Sequence, residues 1–113
     1  MSTENTQDRA RYVMRPPVDV FESEDGLRLV VDLPGVPKDG LELNFDQGLL
    51  GLVARRPLGE GDDAPFAEFR RRFELPRWID GDKSTARLEA GVLTVELPKA
   101  DAARPRQIQV SFD

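Results

Sequence analysis

The side chains that could do chemistry in this sequence are carboxylates, arginines and lysines. The 113 residues include 21 Asp and Glu and 16 Lys and Arg, but neither His nor Cys. Their absence excludes His-based zinc sites, Ser-His-Asp and Cys-His nucleophiles, and a disulfide framework. An enzyme on this chain would depend on paired carboxylates, and no clustered motif of that kind is present. We therefore expect no enzyme, no catalytic residue and no cofactor.

Two acidic stretches resemble calcium ligands in composition. Glu60, Asp62 and Asp63 lie in the loop-like segment PLGEGDDAP, and a second stretch reads Asp80-Gly81-Asp82. Neither has the spacing of an EF-hand loop, so solvated turns are the better interpretation and no metal site is expected. Lys83 and Ser84 do not form a convincing catalytic dyad, since neighbouring residues of a strand point to opposite faces.

Three consecutive arginines, Arg70–Arg72, are the most basic feature of the chain. In a strand they divide between two faces, and the net charge of −5 and pI near 4.8 argue against nucleic acid or an anionic membrane as partner. Arg71 shares its face with Phe69, Phe73 and Leu75. It needs a carboxylate or carbonyl partner there, unless that face is solvated and Arg71 extends its charged end into water.

Short segments of alternating apolar residues must position these side chains, and helical spacing is rare. Gly, Pro and Asp separate the segments, which indicates an all-β sandwich or barrel. The strand candidates are VDVFES, LRLVVDLP, LELNF, LLGLVA, EFRRRFELP, STARLEA, VLTVELP and a terminal IQV.

The length predicts one folded domain with two appended segments. We expect a short flexible arm over residues 1–14, a folded domain over 15–99 and an extension over 100–113. The N-terminus has no apolar leader and no stretch approaches about 18 apolar residues, so a cytoplasmic protein is expected.

The terminal strand candidate carries Ile108 and Val110 at alternate positions. Alternate side chains cover one face of an extended strand, which belongs either to this domain or to another chain. The preceding linker, Lys99–Gln107, could span about 30 Å when extended, so its reach permits both.

Three motifs in order resemble the α-crystallin domain of small heat shock proteins, the Hsp20-like family. They are DLPGV at 32–36, FRRRFELP at 69–76 and ARLEAGVLTVELPK at 86–99, with Gly91, Val92 and Leu93 as the signature turn. A terminal Ile-x-Val is also typical, and the resemblance covers residues 15–110.

The resemblance implies an immunoglobulin-like sandwich of two antiparallel sheets and a homodimer that assembles into higher oligomers. It also implies ATP-independent holding of partly unfolded client proteins, which prevents their aggregation. The alternative is a β-sandwich co-chaperone or adaptor of the p23 type, with the tail packed on its own domain.

The same resemblance implies two interaction sites. Ile108 and Val110 would insert into an edge groove of a neighbouring dimer, and Arg71 would lie at the dimer interface near the loop acids. The groove would be lined by Leu41, Leu43, Phe45, Ala86 and Leu88; the interface would comprise Phe66, Phe69, Arg71 and Phe73 with Glu60, Asp62 and Asp63.

The chain departs from the family pattern at two places. The segment between Arg56 and Phe69 is too short for the protruding swapped strand of bacterial and plant members, so Phe66–Leu75 would pair with its copy as in animal members. The arm offers only Tyr12, Val13 and Met14 for client capture.

Overall fold

Alternating apolar residues and two-residue turns produce eight strands over residues 11–101, the part of the chain that this computed structural model describes. The strands are β1 (Arg11–Met14), β2 (Val18–Ser23), β3 (Gly26–Asp32), β4 (Leu41–Asp46), β5 (Leu49–Pro57), β6 (Phe66–Glu74), β7 (Thr85–Glu89) and β8 (Val92–Pro98). Short 3-10 turns at Lys38–Gly40 and Gly81–Lys83 precede β4 and β7.

The strands form two four-stranded sheets within residues 11–101. The first has the order β1-β6-β5-β4 and the second the order β2-β3-β8-β7. Neighbouring strands are antiparallel, as the family resemblance implied, except that β1 runs parallel to β6. Arg11–Met14, which we expected in a flexible arm, is therefore the edge strand of the first sheet.

Two hairpins are set by turns in which both central residues have positive φ. Gln47 and Gly48 join β4 to β5 with φ of 49° and 79°, and Ala90 and Gly91 join β7 to β8 with 50° and 78°. Two-residue loops of this kind match the right-handed twist of the strands they connect. These turns fix the register of both hairpins.

The core lies between the inward faces of the two sheets. Alternate residues are buried along β8, along β5 from Leu50 to Ala54 and at the end of β3, as expected for strands with one face toward the interior. The described core residues with little exposed surface include Leu29, Val31, Leu33, Leu50, Leu52, Ala54, Leu93, Val95 and Leu97. The edge strands β1, β2, β4 and β7 are much more exposed, and this leaves them available for contacts with other chains.

Candidate groove and interface sites

A groove lies between β4 and β7, the last strands of their sheets on one side of the sandwich. Leu41 is paired with Ala54 of β5, while Ala86 and Leu88 are paired with core residues of β8, so these three side chains point inward. Together with Lys38 and Arg87 they line a cavity of about 310 Å³. The structure thus brings together three of the five groove residues expected from the sequence.

Leu43 and Phe45 do not line this cavity. Leu43 is half-buried against the core, and the Phe45 side chain is 40% exposed. The ring of Phe45 lies directly on Gly81, where an added Cβ would overlap three of its carbon atoms. The described cavity is therefore confined to the Leu41 end of the expected groove. Ile108 and Val110 lie outside the described residues.

Arg71 lies on the inward side of β6, as strand alternation predicted. It is paired with Leu52 in the register of β5 and β6, and its Nε is buried without a hydrogen-bond partner among the described residues. Its guanidinium carbon lies 5.3 Å from the centre of the Phe73 ring. The position of Arg71 at a dimer interface and its pairing with Glu60, Asp62 or Asp63 stay predictions.

Phe66 and Phe69, also expected at the dimer interface, are buried by this chain itself. They are only 3% and 5% exposed, and the backbone of β1 covers their edge of β6 in the register Arg11↔Phe66 to Met14↔Phe69. With β1 on this edge, a second copy could add as a strand only at residues 70–74; the dimer interface itself stays a prediction.

Glu68 is a buried carboxylate that the sequence patterns did not predict. It is fully buried on the outward side of β6, where three arginines surround it within the described part of the chain. Its carboxylate accepts hydrogen bonds from Arg70 at 2.6 Å and Arg55 at 2.9 Å, and Arg11 of β1 lies at 3.6 Å. The Arg11 contact ties the parallel edge strand to the sheet.

Burial and charge act on Glu68 in opposite directions. Burial alone raises the pKa of a carboxyl group, whereas hydrogen bonds from Arg70 and Arg55 and the charges of Arg70 and Arg11 lower it. The arginines prevail, so the pKa of Glu68 lies below its ordinary value and the carboxylate is ionised at neutral pH.

Gly91 of the signature turn joins two of the sequence motifs. Its carbonyl accepts a hydrogen bond from Leu33 N at 2.7 Å, and a Cβ at Gly91 would lie 3.3 Å from Pro34 Cα. The following Leu93 is fully buried, whereas Val92 is 37% exposed. These motif residues thus have a structural explanation in turn geometry and core packing.

The acidic stretch at Asp80–Asp82 has a local structural role. The Asp80 carboxylate accepts a hydrogen bond from Asp82 N at 3.1 Å and caps the short 3-10 turn. No three His, Cys, Asp or Glu side chains are grouped to hold a metal in the range 11–101. Over the same range, no helix is long and apolar enough to cross a membrane.

The two packed sheets define a class, the immunoglobulin-like sandwich of α-crystallin domains. Residues 19–111 match the profile of the Hsp20/alpha crystallin family. The chain belongs to this family, and its resemblance to small heat shock proteins in the three sequence motifs is confirmed.

Named relatives and solved structures agree with this assignment. Heat shock protein 16 of Schizosaccharomyces pombe is 31% identical over 104 residues, covering 83% of this chain and 73% of the relative. Small heat shock protein C4 of Rickettsia felis is 25% identical, covering 88% of this chain. A small heat-shock protein from Xylella fastidiosa, described as having a distinct high order structure, superposes with a TM-score of 0.68 at 33% identity, covering 88% of this chain and 98% of that one.

The match does not extend over the whole length of some relatives. It covers 66% of the Rickettsia felis protein and 62% of a spore protein of Stigmatella aurantiaca. The rat alpha crystallin domain shares the fold alone, with a TM-score of 0.60 at 20% identity.

Proposed function

We propose that this chain is an ATP-independent holdase that binds partly unfolded proteins and prevents their aggregation. The observation that carries the proposal is a set of exposed apolar side chains on the edge strands β1 and β2 of a family member. Five large apolar residues there are 40% to 60% exposed: Tyr12, Val13, Met14, Val20 and Phe21. Exposed apolar patches of this kind mark sites of protein interaction, and no catalytic site or cofactor is part of the proposal.

The test is light scattering from a thermolabile protein heated with increasing amounts of this chain and no nucleotide. We expect scattering to fall as the ratio of chain to client rises, because bound clients no longer contact one another. Scattering that is unaffected at every ratio and temperature would exclude the holdase function.

We further propose that the chain is a homodimer that assembles into higher oligomers through its tail. In this proposal Ile108 and Val110 of one chain enter the groove of Leu41, Ala86 and Leu88 in a neighbouring dimer. The open cavity between β4 and β7 supports the proposal, as does the reach of about 30 Å for the linker before the tail. The cytoplasmic location expected from the sequence stays a prediction.

Gly81→Ala is expected to lengthen the groove. The new methyl group overlaps the Phe45 ring, and the ring can rotate away because it is half-exposed. The backbone of Gly81 is not left-handed, so alanine adds no backbone strain. We expect a peptide of residues 104–113 to bind about tenfold more tightly by calorimetry, comparable to burying part of one more aliphatic side chain.

Gly59→Ala is the matched control, since its Cβ would meet only Ala64 Cβ at 3.5 Å. The proton shifts of residue 81 report the ring position directly, because an aromatic ring above them moves their resonances. If the ring effect on the residue 81 resonances disappears in Gly81→Ala and the peptide binds more weakly, Phe45 lines the groove and contributes to binding; it does not block the groove.

A further inference from the structure

The edge of β6 is only half covered. β6 has nine residues, and β1 pairs with Phe66–Phe69 alone. Residues 70–74 therefore have β5 on one side and, within residues 11–101, no strand on the other. The backbone groups of these residues that point away from β5 form a free strand edge of the kind that accepts an added strand.

A cavity of about 660 Å³ lies where β1 ends beside β6. We call it the arginine notch; its lining includes Arg15, Gly51, Val53, Arg70, Arg71 and Arg72. Gly51 leaves a hollow in the floor, since a Cβ there would have Asn44 O as its nearest neighbour, at 3.9 Å. Val13 and Met14 add apolar surface beside the hollow.

The notch has an excess of positive charge although the whole chain carries −5. Of its four arginines, only Arg70 forms an ion pair within residues 11–101, with Glu68. Arg15, Arg71 and Arg72 have no carboxylate within 4 Å among the residues that the structure describes, and Arg71 Nε is buried without a hydrogen-bond partner. A buried donor of this kind is costly unless a partner satisfies it.

We propose that the arginine notch binds an extended acidic segment of another protein, which adds as a strand to residues 70–74 of β6. Backbone hydrogen bonds would align the segment. Its carboxylates on the outward face of the sheet would pair with Arg72 and Arg15 beside the hollow at Gly51, and the side chains between them would lie on the inward side with Arg71. This inference extends the proposed holding of other proteins by naming the chemistry of the segment that is held.

A second copy of this chain fits the notch less well. Antiparallel pairing of residues 70–74 with themselves places Arg72 opposite Arg72, and like charges directly opposite one another are destabilising. Longer pairing is blocked by β1. The acidic loop around Glu60–Asp63 lies between Pro57 and Pro65 and contains Gly59 and Gly61, so it is a poor source of a regular strand.

The test is fluorescence anisotropy of a labelled heptapeptide in which Val and Glu alternate. We expect saturable binding that weakens as salt is added, because the contacts are ionic. The same peptide with Lys in place of Glu should bind at least about tenfold more weakly, because the charge-assisted hydrogen bonds are lost. The Glu peptide with alternate backbone N-methyl groups should also lose affinity, because it keeps its charge but cannot extend the sheet.

Gly51→Val locates the binding site without disturbing the fold. Its side chain fills the hollow, valine is favoured in strands, and thermal unfolding should show an unchanged or higher midpoint. We expect peptide affinity to fall about tenfold, as it should for Arg72→Gln. Arg77→Gln, at an exposed arginine outside the notch, should bind as the native chain does.

Three results would overturn the inference. The first is equal binding of the Glu and Lys peptides, and the second is normal peptide binding by Gly51→Val. The third is a drop in native mass of Gly51→Val, which would assign the notch to a second copy, including the pairing of Arg71 with the loop acids. Peptide binding does not depend on client protection, so a chain that binds the peptide at the notch but fails to suppress aggregation would refute only the holdase function.

Discussion

Replacing Ile108 and Val110 together by Ala is expected to reduce the native mass of the assembly to that of a dimer. Burying each β-branched side chain contributes about 1.5–3 kcal/mol before the tail is ordered. A single tail contact is therefore weak, and a stable oligomer depends on several tails acting together. Loss of both apolar groups weakens every contact at once, so the effect on the assembly should be large.

Light scattering coupled to size exclusion, over a range of concentrations, measures this change. Gln109→Ala is the matched control, since Gln109 lies between the two apolar residues in the sequence and alternate side chains of an extended segment point to opposite sides. An oligomer of unchanged mass in the double variant would show that assembly uses another surface. A native chain that is already monomeric would favour the p23-type alternative, with the tail on its own domain.

Glu68→Gln is expected to lower the free energy of unfolding by about 2 kcal/mol. Removing one partner of a buried ion pair costs about 3–5 kcal/mol, and we reduce that figure because the three arginines are about half-exposed and water partly screens their charges. For a domain of this size the midpoint of thermal unfolding should fall by about 10 °C.

Glu96→Gln gives a matched control on the opposite sheet. Glu96 pairs with Arg28 at 2.7 Å, but both side chains are about half-exposed. The loss of this surface pair should cost less than about 1 kcal/mol. Equal effects of the two substitutions would contradict the special role of the buried carboxylate.

The stabilisation by Glu68 should also depend on pH. Because folding lowers the pKa of Glu68 below its ordinary value of 4.5, its contribution is fully present above that value and is lost as pH falls through the lowered pKa. Urea unfolding between pH 7 and pH 3 should therefore show the native chain and Glu68→Gln converging in stability toward the acid end. A constant difference across that range would mean that ionisation of Glu68 does not stabilise the fold.

Much of the fold could be predicted from local patterns. Alternating apolar residues with Gly-containing turns gave the strands from β2 to β8, since side-chain direction in a strand follows from position alone. The same alternation placed Arg71 on the inward face of β6 and Arg70 and Arg72 on the outward face, as the burial of β6 confirms.

The features that the sequence did not reveal depend on pairing between distant segments. β1 is polar at its start and joins β6 in parallel, across more than 50 residues of intervening chain. Glu68 and Arg70 share a face by alternation, but Arg55 comes beside them only through the register Arg55↔Glu68. Likewise, Phe45 meets Gly81 only once the two sheets have packed.

The most direct test of the holdase function is recovery of the client after heating. A thermolabile enzyme is heated with an excess of this chain, without nucleotide, and the soluble fraction is separated by size exclusion. We expect the client to elute with the chain in one soluble complex, and addition of ATP to leave the complex unchanged. A client that pellets as completely as it does alone, with the chain eluting by itself at every ratio, would contradict the proposed function.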